Sequence, residues 1–214
     1  MDLQVRTINA DLGHFNDLEG DRDELTRAFL EDLHLAQAVG PSGWRAGCGV
    51  PTAPNDIASD IRVVVEGLRE FAAAAADEGL VLMVEAPYHF RLCNTVPVAL
   101  ELIERIDHLN ATLVFDTSHL RASGVDIAEA ARLFGDWITH IHLRNAVPGN
   151  INLPIGAGDV NVDALFETLA EMGYNGHFTL EPETGVTDKN EKIAQVQDGR
   201  ARIETIWSTR RSYV

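Results

Sequence analysis

The chain has 214 residues, 45% hydrophobic and 23% charged, with 17 Lys and Arg against 33 Asp and Glu for a formal charge of −16. That length buries a proper core and is most simply one domain over residues 1–214. The acidic balance argues against nucleic-acid partners, which need a basic footprint to displace counterions from phosphates, and no apolar run approaches the length of a membrane span. In chain order, residues 3–12 read as a strand and 23–39 as an amphipathic helix. Residues 44–50 form a short Gly-rich strand, and 57–77 a helix that Gly79 stops. A strand over 80–84 precedes a helix over 95–106, and a strand over 111–115 precedes a helix over 126–134. The series closes with a strand over 137–143, a helix over 162–172, a strand over 178–180 and a helix over 190–207. Six strand-then-helix units without a linker or low-complexity break predict a parallel α/β sheet.

Neither GxGxxG after the first strand nor GxxxxGK[ST] occurs, so nucleotide-binding doubly wound folds lose ground. The start, Met1 to Arg6, lacks a basic region followed by an apolar one, so no secretory leader is expected. Cys48 and Cys93 make neither a disulfide framework nor a zinc pattern, which suits buried thiols in a reducing cytoplasm. The one basic cluster is Arg210-Arg211.

The chemistry gathers at strand ends. The last four strands finish on or run into Glu85, Asp116, His142 and Glu181. In a (βα)-repeat barrel the C-terminal strand ends converge on one mouth, where active sites lie. Three carboxylates packed together cannot all ionise unless a cation sits among them. Oxygen-rich ligation with one imidazole suits Mn, Mg or Co, with Zn a further option. Each residue also has a plainer reading: Glu85 and Asp116 as caps, His142 as a satisfied core histidine like His140, Glu181 as the partner of an arginine. All four being coincidental at matching strand ends is much harder to accept.

Four segments carry a resemblance: Val84-Glu85-Ala86-Pro87, Phe115-Asp116-Thr117-Ser118-His119, His140-Ile141-His142-Leu143-Arg144-Asn145 and Gly173 to Glu181. Together they resemble the xylose isomerase-like sugar isomerase and epimerase superfamily, which includes ketose 3-epimerases, hydroxypyruvate isomerase, inosose dehydratase and the endonuclease-four enzymes. The resemblance implies a TIM (β/α) barrel whose fifth to eighth strands supply a divalent metal's ligands, here Glu85, Asp116, His142 and Glu181. It further implies that Glu85 and Glu181 exchange a proton on opposite sides of a substrate carbon, and that His119 hydrogen-bonds a substrate oxygen. The Gly156-Ala157-Gly158-Asp159-Val160 turn resembles the family's GxG loop.

The departures are informative. With Glu85 on the fifth strand, only two strands precede it, so the chain reads as a barrel incomplete at its N-terminal side, lacking the first two of eight units. An open six-stranded sheet leaves edges that need cover, which predicts a homo-oligomer, a dimer or more; a sharp monomer peak in light scattering would contradict this. Arg91 stands where ketose 3-epimerases carry a further glutamate, Pro148 where they carry an arginine, and Asn150 where hydroxypyruvate isomerases carry one. Arg91 and Arg144 are candidates for binding a substrate carboxylate or phosphate, since arginine forks suit both. No histidine lies between His142 and Gly173, which together with the acidic charge argues strongly against the trinuclear-zinc endonuclease branch. The expectation is a metal-dependent isomerase or epimerase of a sugar or sugar-derived keto acid, working by proton abstraction alpha to a carbonyl. A dehydratase on the same site and a non-catalytic barrel remnant that binds a ligand or partner are the alternatives.

Overall fold

A computed structural model of the protein describes residues 4–9, 15–16, 22–52 and 56–211. The chain divides into two compact units, Met1–Val114 and Phe115–Val214, and the division falls inside one strand.

The first unit alternates strands and helices. It contains β1 (Thr7–Asn9), α1 (Arg22–Val39), β2 (Gly43–Gly47), α2 (Ile57–Asp77), β3 (Val81–Glu85), α3 (Val96–Ile106) and the start of β4 (Ala111–Asp116). All pairings are parallel: Thr7 opposes Gly43, Gly47 opposes Glu85, and Glu85 opposes Val114. Helix α1 buries Phe29, Leu33 and Ala36, and α2 buries Ile61, Val64, Val65, Leu68, Phe71, Ala72 and Ala75. Both sets recur at helical spacing, so each helix offers the sheet one apolar stripe. Phe29 stacks on Phe71 with ring centres 3.3 Å apart and meets Trp44 edge-on at 4.6 Å. Asp56 caps α2 through Ser59 N, and α3 ends at Asp107 in the left-handed region, φ +46°.

The second unit continues from Phe115 with α4 (Thr117–Ala122), α5 (Ile127–Phe134) and β5 (Ile138–Leu143). A hairpin of β6 (Asn145–Val147) and β7 (Asn150–Leu153) follows, then α6 (Val162–Glu171), β8 (His177–Leu180) and α7 (Lys189–Arg211). Strand β8 pairs in parallel with β5, His142 opposite Thr179 and Leu143 opposite Leu180. Asp126 caps α5 through Glu129 N, and Asn161 caps α6 through Ala164 N. Phe166, Phe178 and Trp207 meet pairwise at 5.0–5.1 Å and seat α6 and α7 on β8.

The six strands that pair in parallel are those expected. The first begins only at Thr7, and residues 3 and 10–12 of the expected span lie outside the described ones. So do Met1–Leu3, on which the leader reading rests, and the side chains of Arg210 and Arg211. Helix α4 and the β6–β7 hairpin were not anticipated. No helix among the described residues is long and apolar enough to cross a membrane.

Candidate metal centre

In the first unit, β3 ends on Glu85, which is buried and ion-paired with Arg45 of β2. The register explains the pair. Gly47 opposes Glu85 and Arg45 stands two residues earlier, so the period of two puts both side chains on one face. Arg45 also lies over the Tyr88 ring, 5.9 Å from its centre, and Arg91 lies over the same ring at 5.4 Å. Cys48 and Cys93 are free and buried. The hydrogen bond to Cys48, and then burial, hold the Cys93 thiol far above its ordinary range, so it stays protonated.

In the second unit, β4 ends on Asp116, which is completely buried. Its two oxygens have separate tasks. Oδ1 accepts from Ser118 N and Ser118 Oγ, both at 2.7 Å, and from His119 N at 3.1 Å, capping α4. Oδ2 accepts from Arg144 Nη2 at 2.6 Å and Nε at 3.1 Å. Burial alone would raise this carboxyl's pKa; the Arg144 guanidinium outweighs that and, with the Ser118 hydroxyl, holds it well below the usual carboxylate range. Thr117 fastens the end of β5, its hydroxyl donating to Arg144 O at 2.7 Å and accepting from Arg144 N at 3.0 Å.

His142, Arg144 and Glu181 come together by alternation. His142 opposes Thr179, and in parallel strands opposed side chains share a face. Two residues onward, one past the end of each strand, stand Arg144 and Glu181, and the bond from Glu181 N to Leu143 O carries the alternation that far, so they take that same face. His142 Nδ1 lies 3.2 Å from Glu181 Oε2 and 3.8 Å from Asp116 Oδ2. Arg144 Nε lies 3.3 Å from Glu181 Oε2, and Nη1 bonds Glu183 Oε2 at 2.6 Å. Arg144 Nη2 is 3.0 Å from His119 Nε2; a guanidinium only donates, so His119 accepts there and carries its proton on Nδ1.

Does this set fit a metal ion? Glu181 Oε2 is buried yet makes no hydrogen bond of acceptable geometry. Ligand atoms of Asp116, His142 and Glu181 lie within 4.8 Å of one another. A buried carboxylate oxygen without a proper donor, beside an imidazole nitrogen and a second carboxylate, is satisfied by a cation. The donor set fits.

Of the residues singled out in sequence, the second unit brings together Asp116, His119, His142, Arg144 and Glu181, while Glu85 and Arg91 stand in the first. Arg144 was expected to meet substrate, but its donors face Asp116, Glu183 and His119. His119, expected at a substrate oxygen, is fully buried. Arg45, Thr117 and Glu183 were missed. An arginine within a buried strand is the signal that pointed to Arg45; nothing local marked the other two. The Gly156–Val160 turn is tied down twice: Asp159 takes a two-pronged bond from Arg121 at 2.8 and 2.7 Å, and Val160 N donates to Asn145 Oδ1 at 2.9 Å.

Known proteins share this arrangement of elements. The chain is 30% identical over 162 residues to D-psicose 3-epimerase of Ruminiclostridium cellulolyticum, covering 75% of this chain and 53% of that protein. It is 25% identical over 144 residues to inosose dehydratase of Clostridium perfringens, covering 57% and 47%. The chain thus spans about half the length of these curated relatives. Among solved structures, D-psicose 3-epimerase with D-tagatose from Clostridium cellulolyticum H10 superposes with a TM-score of 0.79 at 19% identity, covering 95% of this chain and 78% of that one. The IOLI protein with a bound zinc atom gives 0.80 at 20% identity, covering 96% and 77%. These likenesses establish a TIM-barrel fold, of which this chain carries six parallel strands. The profile of one family runs through both units, from residue 2 to residue 205, and by that match the chain belongs to the xylose isomerase-like TIM barrel family.

Proposed function

We propose that the protein is a divalent-metal-dependent isomerase or epimerase of a sugar or sugar-derived keto acid, folded as one barrel domain and working in the cytoplasm. The carrying observation is Glu181 Oε2, buried without a proper donor beside His142 and Asp116. Glu85, Asp116, His142 and Glu181 are the proposed ligands, for Mn, Mg or Co, with Zn a further option. Support for Glu85 comes from its place: it ends β3 as Asp116 ends β4, opposite Val114 in register.

A bound divalent ion supplies Lewis-acid polarisation of a substrate carbonyl and holds vicinal oxygens in place. The chain's own residues then divide the work. Of the two proposed ligand acids in the second unit Glu181 is the more accessible, its side chain 22% exposed against none for Asp116, so Glu181 takes the proton from the carbon alpha to the carbonyl. Glu85 returns a proton on the other side in an epimerisation; return by Glu181 on the same side gives isomerisation. Asp116 and His142 hold position only. His119 reaches a substrate oxygen through Nε2 when Arg144 releases it, and Arg91 receives a substrate carboxylate or phosphate. Among the described residues β1 pairs only with β2 and β8 only with β5, and edges of that kind support a homo-oligomer.

A dehydratase uses the same proton abstraction and then expels hydroxide. A metal-free binding remnant is favoured by one observation, that Asp116 and Glu85 already have arginine partners. Metal titration with solvent-deuterium exchange into a panel of keto sugars and keto acids separates the three. Exchange without loss of water supports the proposal, exchange with loss of water supports the dehydratase, and neither metal nor exchange supports the remnant. Glu181→Gln is expected to lower exchange at least ~100-fold, the scale of general-base catalysis; undiminished exchange refutes its role.

A further inference from the structure

We infer that Arg144 is a resident cation that competes with the divalent ion for Asp116 and Glu181, and that Glu183 is the carboxylate to which it withdraws. The inference rests on the metal reading of that site. The oxygens Arg144 touches, Asp116 Oδ2 and Glu181 Oε2, are the two that face His142 Nδ1. A guanidinium and a divalent ion therefore seek the same lone pairs, and each repels the other. Within the second unit Asp116 and Glu181 carry −2, and Arg144 returns one charge. With Arg144 in place the charge of the pair falls to −1; its departure leaves both acids available to an ion.

The geometry allows such a withdrawal by the side chain alone. Thr117 bonds both the N–H and the carbonyl of Arg144, so the backbone is fixed. Nη1 already holds Glu183 at 2.6 Å, and the Glu183 side chain is 62% exposed, so it can follow the guanidinium outward. Glu183 is the one carboxylate partner of Arg144 outside the proposed ligand set among the described residues. The affinity of the site for metal is thus set by a contest between an inner pair of acids and an outer one. In the first unit Arg45 stands in the same relation to Glu85.

The test is Mn2+ titration by calorimetry, with thermal midpoints in EDTA and in excess Mn2+, on the parent chain and on Arg144→Gln, Glu183→Gln and Glu181→Gln. Arg144→Gln is expected to bind Mn2+ at least tenfold more tightly than the parent, with a lower midpoint in EDTA and a larger rise on adding Mn2+. Glu183→Gln, which removes the outer acid, is expected to bind at least threefold more weakly. It carries the test alone should Arg144→Gln fail to fold. Equal or weaker binding by Arg144→Gln, or unchanged binding by Glu183→Gln, overturns the competition. If the parent's binding is meanwhile lost in Glu181→Gln, the metal site itself stands and only this inference falls. No binding by the parent or either variant defeats the metal reading and the inference with it. A silent parent beside a binding Arg144→Gln supports the competition.

Discussion

Replacing Asp116 by Asn and Arg144 by Met, singly and together, measures how far the buried ion pair holds the second unit in shape. Both groups are almost wholly out of solvent, at 0% and 4% side-chain exposure, so neither is screened. Two donors converge on one oxygen at 2.6 and 3.1 Å. Breaking a pair of this kind from one side leaves the other charge buried and uncompensated, at a cost of ~3–5 kcal/mol. Arg144→Met, which strands Asp116, should lose about that much in urea unfolding at neutral pH with EDTA present, and Asp116→Asn, which leaves Arg144 with Glu181 and Glu183, should lose less. Asp116→Asn keeps an Oδ1 acceptor for Ser118 N and His119 N, so its loss reports the charge and not the cap. In the double variant neither charge remains, and the loss should fall short of the sum of the singles by ~0.5–3 kcal/mol, the range for residues in direct contact. Additive losses, or a loss under ~1 kcal/mol in Arg144→Met, would refute the claim that the pair is both buried and coupled.

Two further outcomes are expected. The folded-state pKa of Asp116 is depressed, so its stabilisation is full above the unfolded value of ~3.9 and is lost as pH falls toward the lower folded value. Thermal midpoints of the parent should therefore drop steeply below about pH 4, while those of Asp116→Asn drop less; parallel curves for the two would contradict the assignment. At Gly158 a Cβ would meet Ala146 O at 2.5 Å and Asn145 Oδ1 closer still, so Gly158→Ala should cost ~1–3 kcal/mol in urea, and an unchanged midpoint would show that the turn is not packed on β6.

Much of the fold was legible because its periodicities are long. Helix α2 runs Ile57–Asp77 as read, and α1 begins one residue earlier than expected. Helix α4 escaped notice for a physical reason: six residues are under two turns, too few to show an apolar stripe. Its one readable sign was the cap, since Asp116 accepts from the amides of the next turn. The plainer reading of Asp116 as a cap and the sharper one as a ligand are thus compatible, because each uses a different oxygen. The β6–β7 hairpin has no counterpart among the elements read from the sequence. Pro148-Gly149, with Gly149 at φ +80°, was the turn signal, but three- and four-residue strands give alternation little room.

The part of the site that sequence reading left open was the cation. An acid at the end of a buried strand needs a metal, an arginine or backbone amides, and Asp116 has the last two at once: amides on Oδ1 and a guanidinium on Oδ2. The arginine's identity could not come from spacing along the chain, since 28 residues separate the partners. It could come from alternation. His142-x-Arg144 puts imidazole and guanidinium on one face of β5, and Thr179-x-Glu181 puts a carboxylate on the matching face of β8 once His142 opposes Thr179. Any cation that His142 and Glu181 share must therefore contend with Arg144, because the period of two that aims the first pair at a common point also aims the arginine there.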